Sequence, residues 1–255
     1  MSNEAGNAVK HVVILGALSA IGEATARLYA AEGARLLIAG RNEARLRDVA
    51  SDLAARGAAE CQIRALDLAA CDAGKEFAAM AEALDGRVDA VLLFYGVLGD
   101  QRTAEQDPAM LRDILAVNFS SAAEWAVAAA NQLEKQKSGV LVTISSVAGD
   151  RGRQSNYIYG AAKAGLTTLT EGIAHRLAPS GAHATAIKLG FVDTPMTAHI
   201  EKGGPLWAKP DQIARLVKKA ADRPGRPVVY APWFWRWIML IIRTVPTAIF
   251  HKTKL

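Results

Sequence analysis

The stretch His11-Val12-Val13-Ile14-Leu15-Gly16-Ala17-Leu18-Ser19-Ala20-Ile21-Gly22 places a continuously apolar run directly before a turn of small residues. Such a run is typical of a strand in a parallel sheet that is covered on both faces. A helical pattern follows through about Gly33. Backbone N–H groups at this kind of helix start can closely approach a phosphate. The stretch therefore predicts either a pyrophosphate site or a plain β–α turn.

Strand-like runs alternate with helical patterns along the rest of the chain. The alternation predicts a Rossmann-type α/β fold, with a doubly wound parallel sheet of about seven strands and helices on both faces. The 255 residues, 51% of them hydrophobic, are enough for one large core, which we assign to residues 1–231. Residues 232–255 are predicted to form a C-terminal extension. The further predicted strands are 35–39, 61–66, 90–96, 140–146, 184–189 and 228–230.

Composition excludes several kinds of protein. The net charge of +5 is small for this length, and no basic run with interleaved aromatics occurs before the C-terminal extension, so no nucleic-acid partner is expected. Two cysteines, Cys61 and Cys71, indicate reduced thiols in a cytoplasmic protein. The five histidines are scattered, so no metal site is expected. The first apolar run is too short for a signal peptide.

The end of the second predicted strand indicates the nucleotide. An acidic residue at this position of dinucleotide-binding folds holds the ribose hydroxyls, whereas an arginine accommodates a 2′-phosphate. Here Gly40-Arg41-Asn42 contains no acid, so Arg41 favours NADP(H) over NAD(H). The alternative is a solvent-facing arginine at a helix start. Asp67, after the third strand, either reaches the adenine edge or caps the next helix.

Hydroxyl and amine groups cluster in the second half of the chain. Tyr159 and Lys163 are four residues apart in a helix-compatible stretch, so they share one face, and an ammonium beside a phenol lowers the phenol's pKa. A Tyr–Lys pair at this spacing also occurs on ordinary exposed faces, and Tyr157 lies close by. Ser145 and Ser146 end the fifth strand, where open α/β sheets place their chemistry. Asn118 interrupts a helical pattern, which predicts a kink with a polar role.

These features together resemble the short-chain dehydrogenase/reductase family over roughly residues 9–231. They are Gly16-x5-Gly22, Asp67, Asn118, Ser146, Tyr159-x3-Lys163 and Gly190–Met196. The family's spacing selects Ser146 over Ser145 and Tyr159 over Tyr157. Residues 1–231 would then form an NAD(P)-binding domain.

The resemblance also implies roles for individual residues. Tyr159 would protonate a ketone oxygen that Ser146 hydrogen-bonds, Lys163 would hold the nicotinamide ribose and lower the tyrosine pKa, and Asn118 would anchor a proton-supplying water. The substrate would be a ketone or an alcohol. The implied cofactor contacts are Gly16, Leu18, Ser19, Ala20, Ile21, Gly22, Arg41, Asp67, Leu68, Gly96, Tyr159, Lys163, Gly190, Val192 and Thr194.

Three positions depart from the family pattern. Ala20 replaces the middle glycine of the turn and adds a methyl group close to the pyrophosphate position. Leu93-Phe94-Tyr95-Gly96 replaces a motif with two asparagines that normally steady the central sheet. Leu189 stands in place of the proline before Gly190. The four catalytic positions are unaltered.

Two segments outside the motifs indicate how a substrate could approach the site. Gly190–Pro210 is rich in Gly, Pro and Thr, and we interpret it as a substrate loop or as plain surface irregularity. The segment Pro232–Pro246 carries three of the five tryptophans, and no acidic residue follows Asp222. It is too short to span about 30 Å of hydrocarbon. It is predicted either to lie in the plane of an anionic membrane or to pack on the core or a sister subunit.

The extension, Gly96–Asp100 and the loop Ala148–Asn156 are most similar to one subgroup, the decaprenylphosphoryl-2-keto-ribose reductases. The similarity implies reduction of a keto-sugar carried on polyprenyl phosphate in cell-wall biosynthesis, by an enzyme at the inner face of the plasma membrane. Arg151 and Arg153 would then meet the lipid phosphate, or else belong to a solvated loop. The family implies a homodimer or homotetramer. The alternatives are a reductase of a small soluble ketone whose extension serves assembly, and a nucleotide sensor without turnover.

Overall fold

The computed structural model describes residues 9–198 and 200–253. Of the predicted segments, residues 1–8, His199 in the loop Gly190–Pro210 and residues 254–255 of the extension lie outside the described residues. The strands are β1 (His11–Leu15), β2 (Arg35–Gly40), β3 (Glu60–Ala65), β4 (Ala90–Leu93), β5 (Val140–Ser146), β6 (His183–Leu189), β7 (Phe191–Val192), β8 (Trp207–Ala208) and β9 (Val228–Ala231).

Seven of these strands form one parallel sheet in the order β3-β2-β1-β4-β5-β6-β9. The predicted Rossmann-type α/β fold is confirmed. β1 pairs with β2 on one side and with β4 on the other, so the strand order reverses at β1. Ligands of open α/β sheets bind at the carboxyl ends of the strands beside such a reversal.

Helices cover both faces of the sheet, which explains why the strands are apolar without alternation. On one face, α1, α2 and α8 pack against the strands, and on the other face α3, α6 and α7 do so. The helices are α1 (Ala20–Ala30), α2 (Glu43–Ala55), α3 (Ala73–Ala83), α4 (Gln101–Gln106), α5 (Pro108–Leu115), α6 (Ser121–Gln136), α7 (Tyr157–Leu177), α8 (Pro210–Asp222), α9 (Trp235–Thr244) and α10 (Thr247–Phe250).

The interruption expected at Asn118 is a π-helical turn, Ala116–Ser120, between α5 and α6. Such turns add one residue to a helical turn and are frequent at functional sites. Asn118 is fully buried there.

Two segments differ from the sequence-based expectation. β4 ends at Leu93, so Phe94, Tyr95 and Gly96 follow the strand instead of completing it. The loop after β6 contains the short strands β7 and β8, which pair in parallel with Phe191 beside Trp207. Their rings stack with centroids 5.2 Å apart, which gives this part of the loop a packed structure.

The extension packs on the body of the protein through one face of α9. Trp235 and Met239 are buried and form a cluster with Val147 from the segment after β5. The opposite side of α9 is apolar and exposed, with Trp237 at 55% and Ile241 at 66% exposure. The helix therefore has both features that the sequence presented as alternatives, a packed face and a free apolar face.

Candidate functional site

Two adjoining cavities of about 410 Å³ and about 400 Å³ lie at the carboxyl ends of the strands. We call the first the catalytic cavity, because Ser146, Tyr159, Lys163 and Asn118 all line it. The second is called the nucleotide cavity, because Arg41 and Asp67 line it. The two share part of their lining, so they form one continuous groove. The shared residues are Leu18, Ser19, Phe94, Tyr95, Gly96 and Met196.

The two serines at the end of β5 have different surroundings. The hydroxyl of Ser145 is buried, donates to the carbonyl oxygen of Lys163 at 2.9 Å and bonds the Thr167 hydroxyl at 2.7 Å. These contacts tie β5 to α7. Ser146 instead accepts from the backbone N–H of Ala148 at 3.1 Å, which leaves its own proton available. Ser146 is therefore the one placed to donate into the catalytic cavity.

The two tyrosines at the start of α7 are also separated by the fold. Tyr157 is 45% exposed and does not line the catalytic cavity. Tyr159, two residues on, points to the other side of the helix and lines the cavity. Burial raises the pKa of Tyr159 to about 12, while a hydrogen bond with the Ser146 side chain acts to lower it. Tyr159 thus carries its proton at neutral pH.

Lys163 lies one turn further along α7 and is 3% exposed. Its Nζ donates to the carbonyl oxygen of Ile144 at 3.0 Å and lies 5.7 Å from the centroid of the Tyr159 ring. Burial lowers the pKa of Lys163 to about 8. An opposite charge nearby favours an ionised group, so the ammonium favours the phenolate form of Tyr159 once the proton has left.

Asn118 is held by its side chain inside the π-helical turn. Its Nδ2 donates to the carbonyl oxygens of Val97 at 2.7 Å and Ile114 at 2.8 Å, and its Oδ1 accepts from the N–H of Val97 at 3.2 Å. Both amide hydrogens are therefore used within the protein. These bonds fix the segment after β4 against α5.

The glycine turn after β1 is packed so tightly within the protein that two of its positions have no room for a Cβ. Gly16 has φ +80°, and a Cβ there would lie 2.6 Å from the backbone nitrogen of Tyr95. A Cβ at Gly22 would lie 2.9 Å from the carbonyl oxygen of Gly16. Ser19 caps α1 by accepting from the N–H of Gly22 at 3.1 Å. The predicted contact residues Leu18, Ser19, Ala20 and Ile21 line the catalytic cavity.

Gly96 brings the backbone after β4 close to the catalytic side chains. A Cβ at this position would lie 2.7 Å from Oδ1 of Asn118 and 3.4 Å from Nζ of Lys163. Even a Cβ would therefore displace the Asn118 amide, while it would be in van der Waals contact with Lys163. Gly96 lines both cavities, so it lies where they meet.

The nucleotide cavity brings together the residues predicted at the ends of β2 and β3. Arg41 is exposed and lines it with Asp67 and Leu68. The alternative that Asp67 caps the next helix is wrong, because Asp67 accepts from the N–H of Ala69 at 2.9 Å in a turn, and Asp72 caps α3. A carboxylate and a guanidinium on one cavity wall fit the adenosine end of a dinucleotide.

The predicted contacts after β6 also reach the catalytic cavity. Gly190, Val192 and Thr194 line it, together with Met196 and Ile200 from the loop that follows. The loop therefore forms one wall of the cavity, as a substrate loop would.

Sequence reasoning missed Trp235 as a member of the cavity wall. Its indole Nε1 lies 1.8 Å from the position that a Cβ at Gly190 would take. The helical spacing of Trp235, Met239 and Ile242 was a signal for one packed face of α9, but it did not reveal what that face covers.

The loop arginines have different roles. Arg151, predicted at a lipid phosphate, donates from Nη1 to the carbonyl oxygens of Ile242 at 2.5 Å and Val245 at 2.7 Å. Its guanidinium also lies 3.7 Å from the centroid of the Phe250 ring. It therefore holds the C-terminal end of α9, where a cation is favoured. Arg153 instead lines the catalytic cavity, so the two arginines lie in different surroundings.

Comparison with known proteins agrees with this geometry. Residues 10–204 match the family model for short chain dehydrogenases. An uncharacterized oxidoreductase of Mycobacterium tuberculosis is 34% identical over 241 residues, which are 94% of this chain and 96% of that protein. One from Streptomyces coelicolor is 32% identical over 254 residues, 99% of each chain.

A solved structure shares the fold. The short-chain dehydrogenase from Sphingobium yanoikuyae, in complex with NADPH, aligns with a TM-score of 0.79 at 24% identity and covers 94% of this chain and 98% of its own. The family model spans well over half of the sequence, and the curated relatives extend over nearly all of it. The chain therefore belongs to the short chain dehydrogenase family, and it is an oxidoreductase.

Proposed function

We propose that this oxidoreductase reduces a ketone to an alcohol with NADPH. One observation carries the proposal: Ser146 from β5, Tyr159 and Lys163 from α7 and Asn118 from the π-helical turn all line one cavity. Hydride addition to a carbonyl carbon leaves an alkoxide that must take up a proton. A cavity with a protonated phenol and a second hydroxyl donor meets that need.

The proton donor in this proposal is Tyr159. Its pKa near 12 keeps the proton on the phenol until charge develops on the substrate oxygen. Ser146 donates a hydrogen bond to the same oxygen, and the Lys163 ammonium stabilises the phenolate that remains. Asn118 holds the segment that carries Gly96, and a water that resupplies the proton would bind at its Oδ1, because both amide hydrogens are taken.

The groove fits a nicotinamide dinucleotide. The Cβ-free positions Gly16 and Gly22 and the capped start of α1 would hold the pyrophosphate, and Lys163 would bind the nicotinamide ribose. Gly190, Val192 and Thr194 would flank the nicotinamide, which supplies the hydride when bound. Arg41, directly after β2, supports NADP(H) over NAD(H), since Gly40-Arg41-Asn42 contains no acid. The NADPH in the Sphingobium yanoikuyae dehydrogenase supports the same choice.

For the substrate, we propose a keto-sugar carried on polyprenyl phosphate, with a role in cell-envelope biosynthesis. The exposed face of α9 supports a lipid-presented substrate, because Trp237 is 55% exposed and Ile241 66%, and Trp233 just before the helix is 72% exposed. Within residues 9–198 and 200–253, no helix has the length and apolarity needed to cross a bilayer. We propose a peripheral contact with the membrane through residues 232–255.

Anionic lipid is the partner that fits this face. Arg236 and Arg243 are exposed on α9, and no acidic residue follows Asp222. Tryptophan rings favour the headgroup region, and basic side chains add attraction to anionic lipid. We propose that residues 232–255 bring the catalytic cavity to the membrane surface by this contact.

The test is NADPH oxidation measured side by side with a polyprenyl-phosphate keto-sugar and with a panel of soluble ketones. Preferential turnover of the lipid-linked ketone is expected. Preference for a soluble ketone would replace the substrate proposal while leaving the reductase proposal intact. Cofactor binding without turnover of any ketone would instead favour a nucleotide sensor.

A further inference from the structure

Three unpartnered buried polar atoms belong to residues of the catalytic cavity. Within residues 9–198 and 200–253, the buried side-chain atoms without a hydrogen-bond partner are Nε of Arg153, Nε1 of Trp235, Oδ1 of Asn156 and the hydroxyl of Tyr29. The first three residues line the catalytic cavity, and Tyr29 lies elsewhere, in α1. Buried polar groups in folded proteins are almost always paired. Their concentration at one cavity indicates groups that a ligand satisfies.

Arg153 brings to this cavity a positive charge that Asp150 influences only from beyond salt-bridge distance. The nearest acidic group in the loop, Asp150, is already paired with Lys188 and accepts from the Tyr230 hydroxyl at 2.7 Å. In the described part of the chain, no carboxylate lies within salt-bridge distance of Arg153. Its Nη2 reaches only the thioether sulfur of Met239, at 3.4 Å, which is a weak acceptor.

Burial lowers the pKa of Arg153, yet a guanidinium remains charged in a protein. A buried charge without a partner is unfavourable, whereas the same charge paired with an anion and fully hydrogen-bonded is tolerated. Within residues 9–198 and 200–253 no carboxylate forms a salt bridge with Arg153, so an anion that enters the cavity can supply the partner.

Trp235 supplies a second donor in the same region. It is 4% exposed, and an indole N–H can donate but not accept. Trp235 and Arg153 are linked through Met239, which packs in one cluster with Trp235 and carries the sulfur that Arg153 contacts. Both residues line the catalytic cavity, and one of them comes from the C-terminal extension.

We propose that Arg153 and Trp235 bind an anionic oxygen group of the substrate, a carboxylate or a phosphate, and so make the enzyme selective for anionic ketones. This rests on the proposed ketone reduction. Asn156 contributes an acceptor, which suits a hydroxyl of the same substrate and not the anion. The 2′-phosphate expected beside Arg41 is an unsuitable occupant, because Arg153 does not line the nucleotide cavity, where Arg41 lies.

The test uses two matched pairs of ketones that differ in charge: 4-oxopentanoate with its methyl ester, and dihydroxyacetone phosphate with dihydroxyacetone. Initial rates with NADPH are measured for the wild-type protein and for Arg153→Gln, Arg153→Lys and Trp235→Phe. Arg215→Gln, which changes an exposed arginine of α8, is the matched control. Thermal melting checks that each variant is folded.

The wild-type protein is expected to favour the anionic member of at least one pair by about 10-fold or more in kcat/KM, since hydrogen bonds to charged groups are the strong ones. The pair that shows the preference identifies the anion. Arg153→Gln should remove the preference, Arg153→Lys should keep part of it, and Trp235→Phe should weaken it about 3-fold or more. Arg215→Gln should behave like the wild-type protein.

Equal kcat/KM for charged and neutral members in the wild-type protein would overturn the proposal, and so would an unchanged preference in Arg153→Gln. Calorimetric titration of the NADP⁺-saturated protein with the same four ketones gives a readout without turnover. If no ketone is reduced, the proposed function fails. The anion site would still be supported if the anionic member of a pair bound more tightly than the neutral one and Arg153→Gln abolished this difference. Equal binding of the two members by the wild-type protein would overturn the anion site.

Discussion

The indole of Trp235 occupies the space that a side chain at Gly190 would need, with Nε1 1.8 Å from the Cβ position. The first residue of α9 is therefore packed directly against the backbone that follows β6. Gly190 therefore lacks a side chain for a packing reason.

Gly190→Ala is expected to displace Trp235 and loosen α9 from the body of the protein. Overpacking of this kind costs about 1–3 kcal/mol. The melting temperature should fall accordingly. Tryptophan emission should shift to longer wavelength, and the rate of ketone reduction should decrease. Gly203→Ala is the control, since a Cβ there meets nothing within 4 Å. Equal melting temperatures for the two variants would contradict the packing argument.

Tyr159→Phe should lower kcat for ketone reduction by about 10²–10⁴-fold, the usual contribution of a general acid. The affinity for NADPH should change little, which fluorescence titration can measure. Tyr157 is 45% exposed and lies two residues before Tyr159, so Tyr157→Phe should keep near wild-type activity. If Tyr157→Phe lost most of its activity while Tyr159→Phe stayed active, the proton donor would be Tyr157 and not Tyr159.

Reduction should weaken as pH rises through about 8. The pKa of Lys163 is lowered to about 8 by burial, so above that pH the ammonium that stabilises the Tyr159 phenolate is lost. Tyr159 itself stays protonated through this range, because its pKa is near 12. The profile of kcat/KM against pH reports the free enzyme. A flat profile from pH 6 to pH 10 would contradict the role of Lys163.

Arg41→Asp should reverse the preference for the nucleotide. The change removes the partner of a 2′-phosphate and supplies a carboxylate for ribose hydroxyls. We expect KM for NADPH to rise about 10- to 100-fold while KM for NADH falls or stays constant. Arg47→Gln is the control, because Arg47 pairs with Glu43 on α2 and does not line the nucleotide cavity. If Arg41→Asp has the wild-type ratio of KM for NADPH to KM for NADH, Arg41 does not select the nucleotide and is a solvent-facing arginine.

Trp237→Ser combined with Ile241→Ser should abolish co-sedimentation with vesicles that contain an anionic phospholipid. Both side chains are more than half exposed, so the substitution leaves the packed face of α9 intact. Deleting the whole extension is a poorer test, because it would also remove Trp235 from the catalytic cavity. Zwitterionic vesicles provide the lipid control. If the wild-type protein does not co-sediment with anionic vesicles and forms oligomers instead, the result would support assembly through this face.

Local patterns predicted much of the fold and of the candidate site. The apolar run Val12–Leu15 is fully buried in β1, and β5 has the predicted bounds because Ser145 and Ser146 end a run of buried residues. Asn118 marked the π-helical turn through its poor helix propensity. Each of these features depends on residues that are neighbours in sequence.

Contacts between distant segments were not predictable in the same way. Arg151 and Phe250 are about a hundred positions apart, and nothing in a basic loop or an aromatic extension indicates that they meet. Periodicity shows that α9 has a packed face, but the packing partner is set by the position of α9 after β9. For the same reason, Trp235 and Arg153 could not be brought together in one cavity from the sequence alone.

The family model ends at residue 204, whereas the wall of the catalytic cavity is completed by Trp235. The proton-transfer groups and this part of the cavity wall thus come from segments far apart in the sequence. Mutation of the extension can alter which molecules enter without disturbing the chemistry at Tyr159. Substitutions on the packed face of α9 therefore change the cavity wall while Ser146, Tyr159 and Lys163 stay as they are.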